Sequence, residues 1–283
     1  MKQIGMTRRS FLRSTAVAGA ALATPAFLTA CGEMPPQTQP IGVQLYTLRD
    51  LMANNMADTL AGVGVLGYKE VEFAGYFDQS YADIGRWLAE SGLSAPSAHV
   101  SLAALDKNFD AALEAAAALG HKYLFLAWLA PEDRTVRRYH EIAELLNSRG
   151  ESAKAAGVQL GFHNHDFEFE DHDGITGYDI FLNETDADLV KFELDLYWAR
   201  VAEVDPLALI KKHPGRFPCV HVKDYGANGE IVDVGDGEID FAALYEPLKK
   251  AGTQHFFIEH DQTKNPMKTL ERSIKAFKSA IGA

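Results

Sequence analysis

The sequence predicts a single α/β domain, a (β/α)8 TIM barrel, over residues 41–283. Three observations carry the prediction. Short β-rich runs alternate with amphipathic helical stretches eight times in about 240 residues, a length that suits a closed ring of parallel strands better than an open doubly wound sheet. Glycine stands at the end of many helical stretches, at Gly67, Gly92, Gly120, Gly157 and Gly252, where helix C-termini prefer it. No glycine-rich dinucleotide or phosphate-loop fingerprint follows any of the runs, as an open nucleotide-binding sheet would require.

Residues 1–31 read as an export signal. "TRRSFLR" (Thr7 to Arg13) carries the twin-arginine pattern, and an Ala-rich apolar stretch follows that is too short for a membrane span. The segment closes on "LTAC", Leu28 to Cys31, which has the form of a lipoprotein signal-peptidase box. The expectation is therefore a periplasmic lipoprotein anchored through Cys31, with residues 32–40 as a flexible tether.

The strands follow in order. They are "IGVQLYTL" (41–48), "YKEVEFAG" (68–75), "LSAPSAHV" (93–100), "HKYLFLAW" (121–128), "VQLGFHNH" (158–165), "VKFELDLYW" (190–198), "FPCVHVKD" (217–224) and "HFFIEHD" (255–261). Between them lie helical patterns such as "MADTLAGVGVL", "FDAALEAAAAL" and "TVRRYHEIAELLNSRGESAKAA". The chain is 47% hydrophobic and 23% charged, as a globular fold with its own core requires. Only Cys219 remains besides Cys31, so packing rather than disulfides must hold the fold. The signal takes four of the 27 bases and none of the 39 acids. The exported chain thus has a net charge of −16, which argues against nucleic acid or an anionic membrane surface as partner.

In a barrel of this kind the C-terminal ends of the strands build the site, and ionisable residues collect there. Strand two carries Glu70 and Glu72, strand three His99, strand five His163 and His165, strand six Glu193 and Asp195. Strand seven carries His221 and Lys223, and strand eight Glu259 and Asp261. Each pair is spaced by two, so both members face the same way. One strand-end carboxylate is usually a cap or a solvated group, and Glu193, deeper than Asp195, can simply pair inside the barrel. Such residues at six of eight strand ends make a bound cation the economical reading, because buried charge must be paired or ligated.

"GFHNHDFEF", "FELDLYW", "VHVKD", "VGDGEIDF" and "FIEHD" resemble the sugar phosphate isomerase/epimerase family of the xylose isomerase-like TIM barrel superfamily. The resemblance runs from about Ile41 to the C-terminus and implies one divalent cation held by four side chains at the ends of strands five to eight. Carried onto this chain, the ligands are Glu168, Asp195, His221 and Glu259. The first departs from the family's Glu-Asn-His, since His163-Asn164-His165 stands there; His163 is the reserve candidate.

A site of three carboxylates and one imidazole is hard and oxygen-rich, so Mn²⁺ or Mg²⁺ suits it best, with Zn²⁺ or Co²⁺ able to substitute. The resemblance implies isomerisation or epimerisation of an unphosphorylated keto-sugar by proton abstraction beside a metal-bound carbonyl. Glu168 and Glu259 are the expected acid/base pair, and Glu72, His99, His163, His165, Trp198, Arg200 and Lys223 the substrate contacts. Elimination or hydration of a 3-keto-glycoside, or an inosose-type dehydration, would begin at the same step. A non-catalytic sugar-binding lipoprotein is the reading from another class. The sugar, the reacting carbon and any homo-oligomer are left open.

Overall fold

The computed structural model describes residues 39–283. Eight parallel strands close into a barrel. In chain order the strands are β1 (Gly42–Gln44), β2 (Glu70–Phe73), β3 (Ser94–Val100), β4 (Tyr123–Leu126), β5 (Gln159–His163), β6 (Val190–Asp195), β7 (Cys219–Val222) and, closing the ring, β10 (His255–Ile258). β8 (Asp224–Tyr225) and β9 (Ile231–Val232) form a separate antiparallel hairpin. The ring order is β1-β10-β7-β6-β5-β4-β3-β2, so first and last barrel strands are neighbours and no barrel strand is left as an edge.

Helices fill the return path after each strand. α1 (Arg49–Asn54) and α2 (Met56–Val65) follow β1, α3 (Tyr81–Ser91) follows β2, and α4 (Leu102–Lys107) with α5 (Phe109–Leu119) follows β3. α6 (Val136–Ala155) follows β4, α7 (Gly177–Glu184) follows β5, and α8 (Leu196–Val201) with α9 (Pro206–Lys212) follows β6. α10 (Phe241–Lys250) precedes β10 and α11 (Pro266–Ile281) ends the chain. Each helix turns an apolar stripe to the strands: α6 buries Tyr139, Ile142, Ala143 and Leu146, and α11 buries Leu270, Ile274 and Phe277. α3 and α5 both end on a glycine in the left-handed region, Gly92 and Gly120, where a β-carbon would be strained.

The strands are shorter than the β-rich runs, for a local reason. The run 190–198 stops at Asp195, whose Oδ1 accepts from the Trp198 N–H at 3.0 Å and caps α8. The run 41–48 likewise turns at Gln44, whose side chain accepts from the Tyr46 N–H at 2.9 Å. Polar residues at strand ends thus start the next helix.

The two ends of the barrel differ. At the N-terminal end Glu70 opens β2 and pairs with His255 of β10 at 2.8 Å. The expectation that Glu70 belongs to the active face is therefore corrected, because a strand of four residues puts its first member at the opposite end from its last. The ionisable residues of interest line the C-terminal end.

Candidate active site

Four side chains from adjacent strands meet at that end. His163 is the last residue of β5, Asp195 the last of β6, His221 lies in β7 and Glu259 directly follows β10. One ligand atom from each lies within 4.8 Å of the others, and all four residues are buried. His163 Nε2 is 3.1 Å from His221 Nδ1, which is 2.9 Å from Glu259 Oε2. Asp195 Oδ2 lies 3.5 Å from His163 Nε2 and 3.0 Å from Lys223 Nζ, yet it accepts no hydrogen bond. Lys223 already pairs with this buried oxygen, and a metal cation among the four side chains would give it a second partner.

Beneath this group lies a second layer. Glu72, whose side chain is wholly buried, holds His221 Nε2 at 2.7 Å and His99 Nε2 at 3.1 Å. Glu193 is 2.7 Å from His99 Nε2, the pairing expected of it as the deeper residue of its strand. Gln44 donates to Glu72 at 2.5 Å, and the Ser97 hydroxyl makes a further short bond to it. A carboxylate on one imidazole nitrogen directs the other towards a ligand and makes it more basic. Glu72 does this for His221, leaving Nδ1 to face the four-residue group.

Electrostatics here is a contest between burial and partners. Burial pushes the Glu72 carboxyl up, but His99 and His221 more than offset it and hold it well below the usual carboxylate range. Burial pulls His99 down, while Glu72 and Glu193 raise it to about 10. Glu259 is held below the ordinary range, with Lys223 and His221 outweighing its burial. His221 is lifted well above its ordinary value by Glu193 and Glu259 despite burial. The surrounding carboxylates draw positive charge there, and a proton and a divalent cation compete for that place.

Above the group opens a cavity of about 710 Å³. Of the residues expected from the sequence, His99, His163, His165, Trp198, Lys223 and Glu259 line it. Lys223 Nζ is gripped by Glu259 at 2.7 Å, Asp261 at 2.9 Å and Asp195 at 3.0 Å. Trp198 packs beside His165 with ring centroids 5.3 Å apart.

Three of the expected residues lie apart from the group or the cavity lining. Glu168 is not among the grouped ligand atoms; it lies in a short 3-10 turn, fully buried, with Oε2 accepting from the His165 N–H at 2.7 Å. Its place in the four is taken by His163. Arg200 does not reach the cavity: half-exposed, it lies 4.7 Å over the Tyr225 ring and 3.6 Å from Glu238, docking the loop after β7 onto α8. Glu72 supports His221 and His99 from below and is not part of the cavity lining.

Sequence reading also missed residues that do line the cavity: Tyr46, Arg49, Trp128 and Arg134. Tyr46 lies in the 3-10 turn after β1, Arg49 opens α1, and Trp128 and Arg134 sit on the connection after β4, all outside any pair spaced by two. The available signal was an arginine a few residues from an aromatic, since Arg49 lies 4.3 Å over Tyr46 and Arg134 5.2 Å over Trp128.

Comparison with known proteins agrees with this fold. Residues 64–280 match the xylose isomerase-like TIM barrel family, and residues 5–25 match the twin-arginine translocation signal, which marks the chain for export across the cytoplasmic membrane. A sugar phosphate isomerase/epimerase from Parabacteroides distasonis superposes with a TM-score of 0.74 at 24% identity, over 86% of this chain and 97% of that one. The IolI protein, solved with a bound zinc atom, superposes with a TM-score of 0.69 at 16% identity, over 86% and 98%. An inosose dehydratase from Lacticaseibacillus casei is 24% identical over 159 residues, 50% of this chain and 53% of its own. The match thus spans about half the length of that curated relative. With 217 residues matched and the barrel closed in the expected order, the chain belongs to the xylose isomerase-like TIM barrel family.

Proposed function

We propose that the protein is a metal-dependent isomerase or epimerase of an unphosphorylated keto-sugar, exported and anchored by a lipid at Cys31. The observation that carries the reading is the convergence of His163, Asp195, His221 and Glu259, of which His163 and Glu259 line the cavity. Two imidazoles and two carboxylates form a more nitrogen-rich set than three carboxylates and one imidazole. Zn²⁺, Co²⁺ or Mn²⁺ therefore suits it better than Mg²⁺. Bound there, such a cation supplies a Lewis acid for a sugar carbonyl.

The chain's own residues do the rest. Glu259, kept anionic by Lys223 and His221, takes the proton from the carbon beside the carbonyl. Lys223 donates a hydrogen bond to the oxygen on which negative charge develops. Asp261, on the cavity wall and paired with Lys223 at 2.9 Å, takes the second proton-transfer role that Glu168 is too buried to fill. Trp198 offers a flat apolar wall to a sugar face. Dehydration is the second reading, favoured by the likeness to an inosose dehydratase; it shares the first proton abstraction.

The test combines metal analysis of the purified protein with turnover of keto-sugars and 3-keto-glycosides in D₂O. Deuterium should enter at the carbon next to the carbonyl, and Glu259→Gln should lower turnover by roughly 10²–10⁴-fold with little change in affinity. Turnover with no solvent deuterium would assign a hydride shift and remove Glu259 from the role of base. A metal-loaded protein that binds sugars and turns none over would favour the non-catalytic reading.

A further inference from the structure

Trp128 is one of three large apolar side chains left exposed among the described residues, with 48% of its surface open. It is also the one residue that lines both of two cavities: the site cavity and a neighbour of about 620 Å³. The neighbour lies between α4 and α6, with Ile142 and Leu145 as apolar lining and Asp106, Lys107 and Arg138 among its polar groups. We propose that the ligand is a saccharide of at least two units, the reacting unit in the site cavity and the next one carried over Trp128 into this second cavity. The inference rests on the sugar-processing reading above and adds the size of the substrate.

The chemistry of the second cavity selects the occupant. Its acids, Asp106, Asp133 and Glu141, stand against the bases Lys107 and Arg138, and Arg138 is already paired with Asp133 at 2.8 Å and Glu141 at 2.5 Å. No excess positive charge is left to hold a phosphate. Paired side chains still offer donors and acceptors to neutral hydroxyls. An open indole face beside them matches the apolar face of a pyranose ring. Arg134 stiffens the platform, bonding the Leu129 carbonyl at 3.0 Å while its guanidinium lies 5.2 Å from the Trp128 ring centre and 3.5 Å from that of Phe167. Each cavity alone falls within the roughly 300–1,000 Å³ of small-ligand sites, so two sharing one aromatic wall suit two consecutive units.

Binding of unreactive sugars tests this without any turnover, so failure of the chemistry and failure of the second cavity are separable. The probes are methyl glucoside against cellobiose, maltose and lactose, titrated into the metal-loaded full chain. At least one disaccharide should bind ten-fold or more tightly than methyl glucoside. Trp128→Ala should remove that advantage. Ala103→Trp, an exposed residue of α4 on the second cavity, should fill it and remove the advantage while leaving methyl glucoside affinity unchanged. Equal binding of both lengths, an Ala103→Trp chain that keeps the advantage, or no saccharide binding at all would overturn the proposal. Turnover of a keto-sugar with no difference between lengths would overturn it while leaving the proposed reaction in place.

Discussion

At the scale of single residues, position on a strand decides role more than residue type does. His163, Asp195, His221 and Glu259 share one group, while Glu72 and Glu193 lie below it and Glu70 lies at the far end of the barrel. Replacing Asp195 by Asn, or His163 or His221 by Ala, should therefore strip most bound metal from purified protein. Glu193→Gln should keep the metal, and elemental analysis checks each case. That Asp195, His221 and Glu259 come together was legible because strand ends project onto one face. Glu168 stands apart from the group because its carboxyl accepts from the His165 N–H, a turn geometry that no spacing rule reveals.

Glu168 carries its own pH signature. Burial lifts its carboxyl to about 8, so the folded chain holds a proton that the unfolded chain releases in the ordinary carboxylate range. The stability this neutral acid contributes is complete below that range and is lost as pH rises towards about 8. Glu168→Gln retains a neutral side chain at every pH. Its Tm should exceed that of the wild type at about pH 9, with the gap closing at about pH 5, where the wild-type acid is neutral too. A constant gap across that range would mean that Glu168 ionises normally.

At the scale of elements, alternation and glycine punctuation fixed the eight barrel strands and their order, and the hairpin β8–β9 was missed. Its sequence carries no strong strand signal; a carboxylate organises it instead. Asp224 accepts from the N–H groups of Tyr225 at 2.9 Å, Gly235 at 2.9 Å, Gly237 at 3.1 Å and Ile239 at 3.2 Å. The "VHVKD" and "VGDGEIDF" motifs are thus two halves of one anchor. A β-carbon on Gly237 would collide with the Asp224 carboxylate, which explains the glycine. Asp224→Ala should free the loop from 225 to 240, seen as faster amide exchange there, and cost about 1–3 kcal/mol through the four part-buried donors that lose their shared acceptor. Tyr197, which donates to the Gly229 carbonyl at 2.7 Å, should lose that contact at the same time.

At the scale of the whole molecule, export and charge were legible because they are properties of composition and of one short motif. The signal matched at residues 5–25 and the expected lipid site at Cys31 both lie outside the described residues. Replacing Arg8 and Arg9 by Lys should hold the precursor in the cytoplasm. Cys31→Ser should leave export intact and release the protein from the membrane fraction. Fractionation of cells expressing each variant decides both.

Closure of the ring has a consequence for biosynthesis. β1 bonds to β2 on one side and to β10 on the other, yet those partners are separated by most of the chain's synthesis. Until His255–Ile258 has left the ribosome, β1 and β7 each present an open edge, and the ring cannot be completed by the segments already made. Pairing over such a sequence distance is slow and leaves edges exposed in the meantime. β10 follows the other seven barrel strands in the chain, so the ring is completed only after all of them have been made. A chain stopped at Gly252 should accumulate as an aggregate or be degraded, although it carries three of the four residues of the proposed metal site.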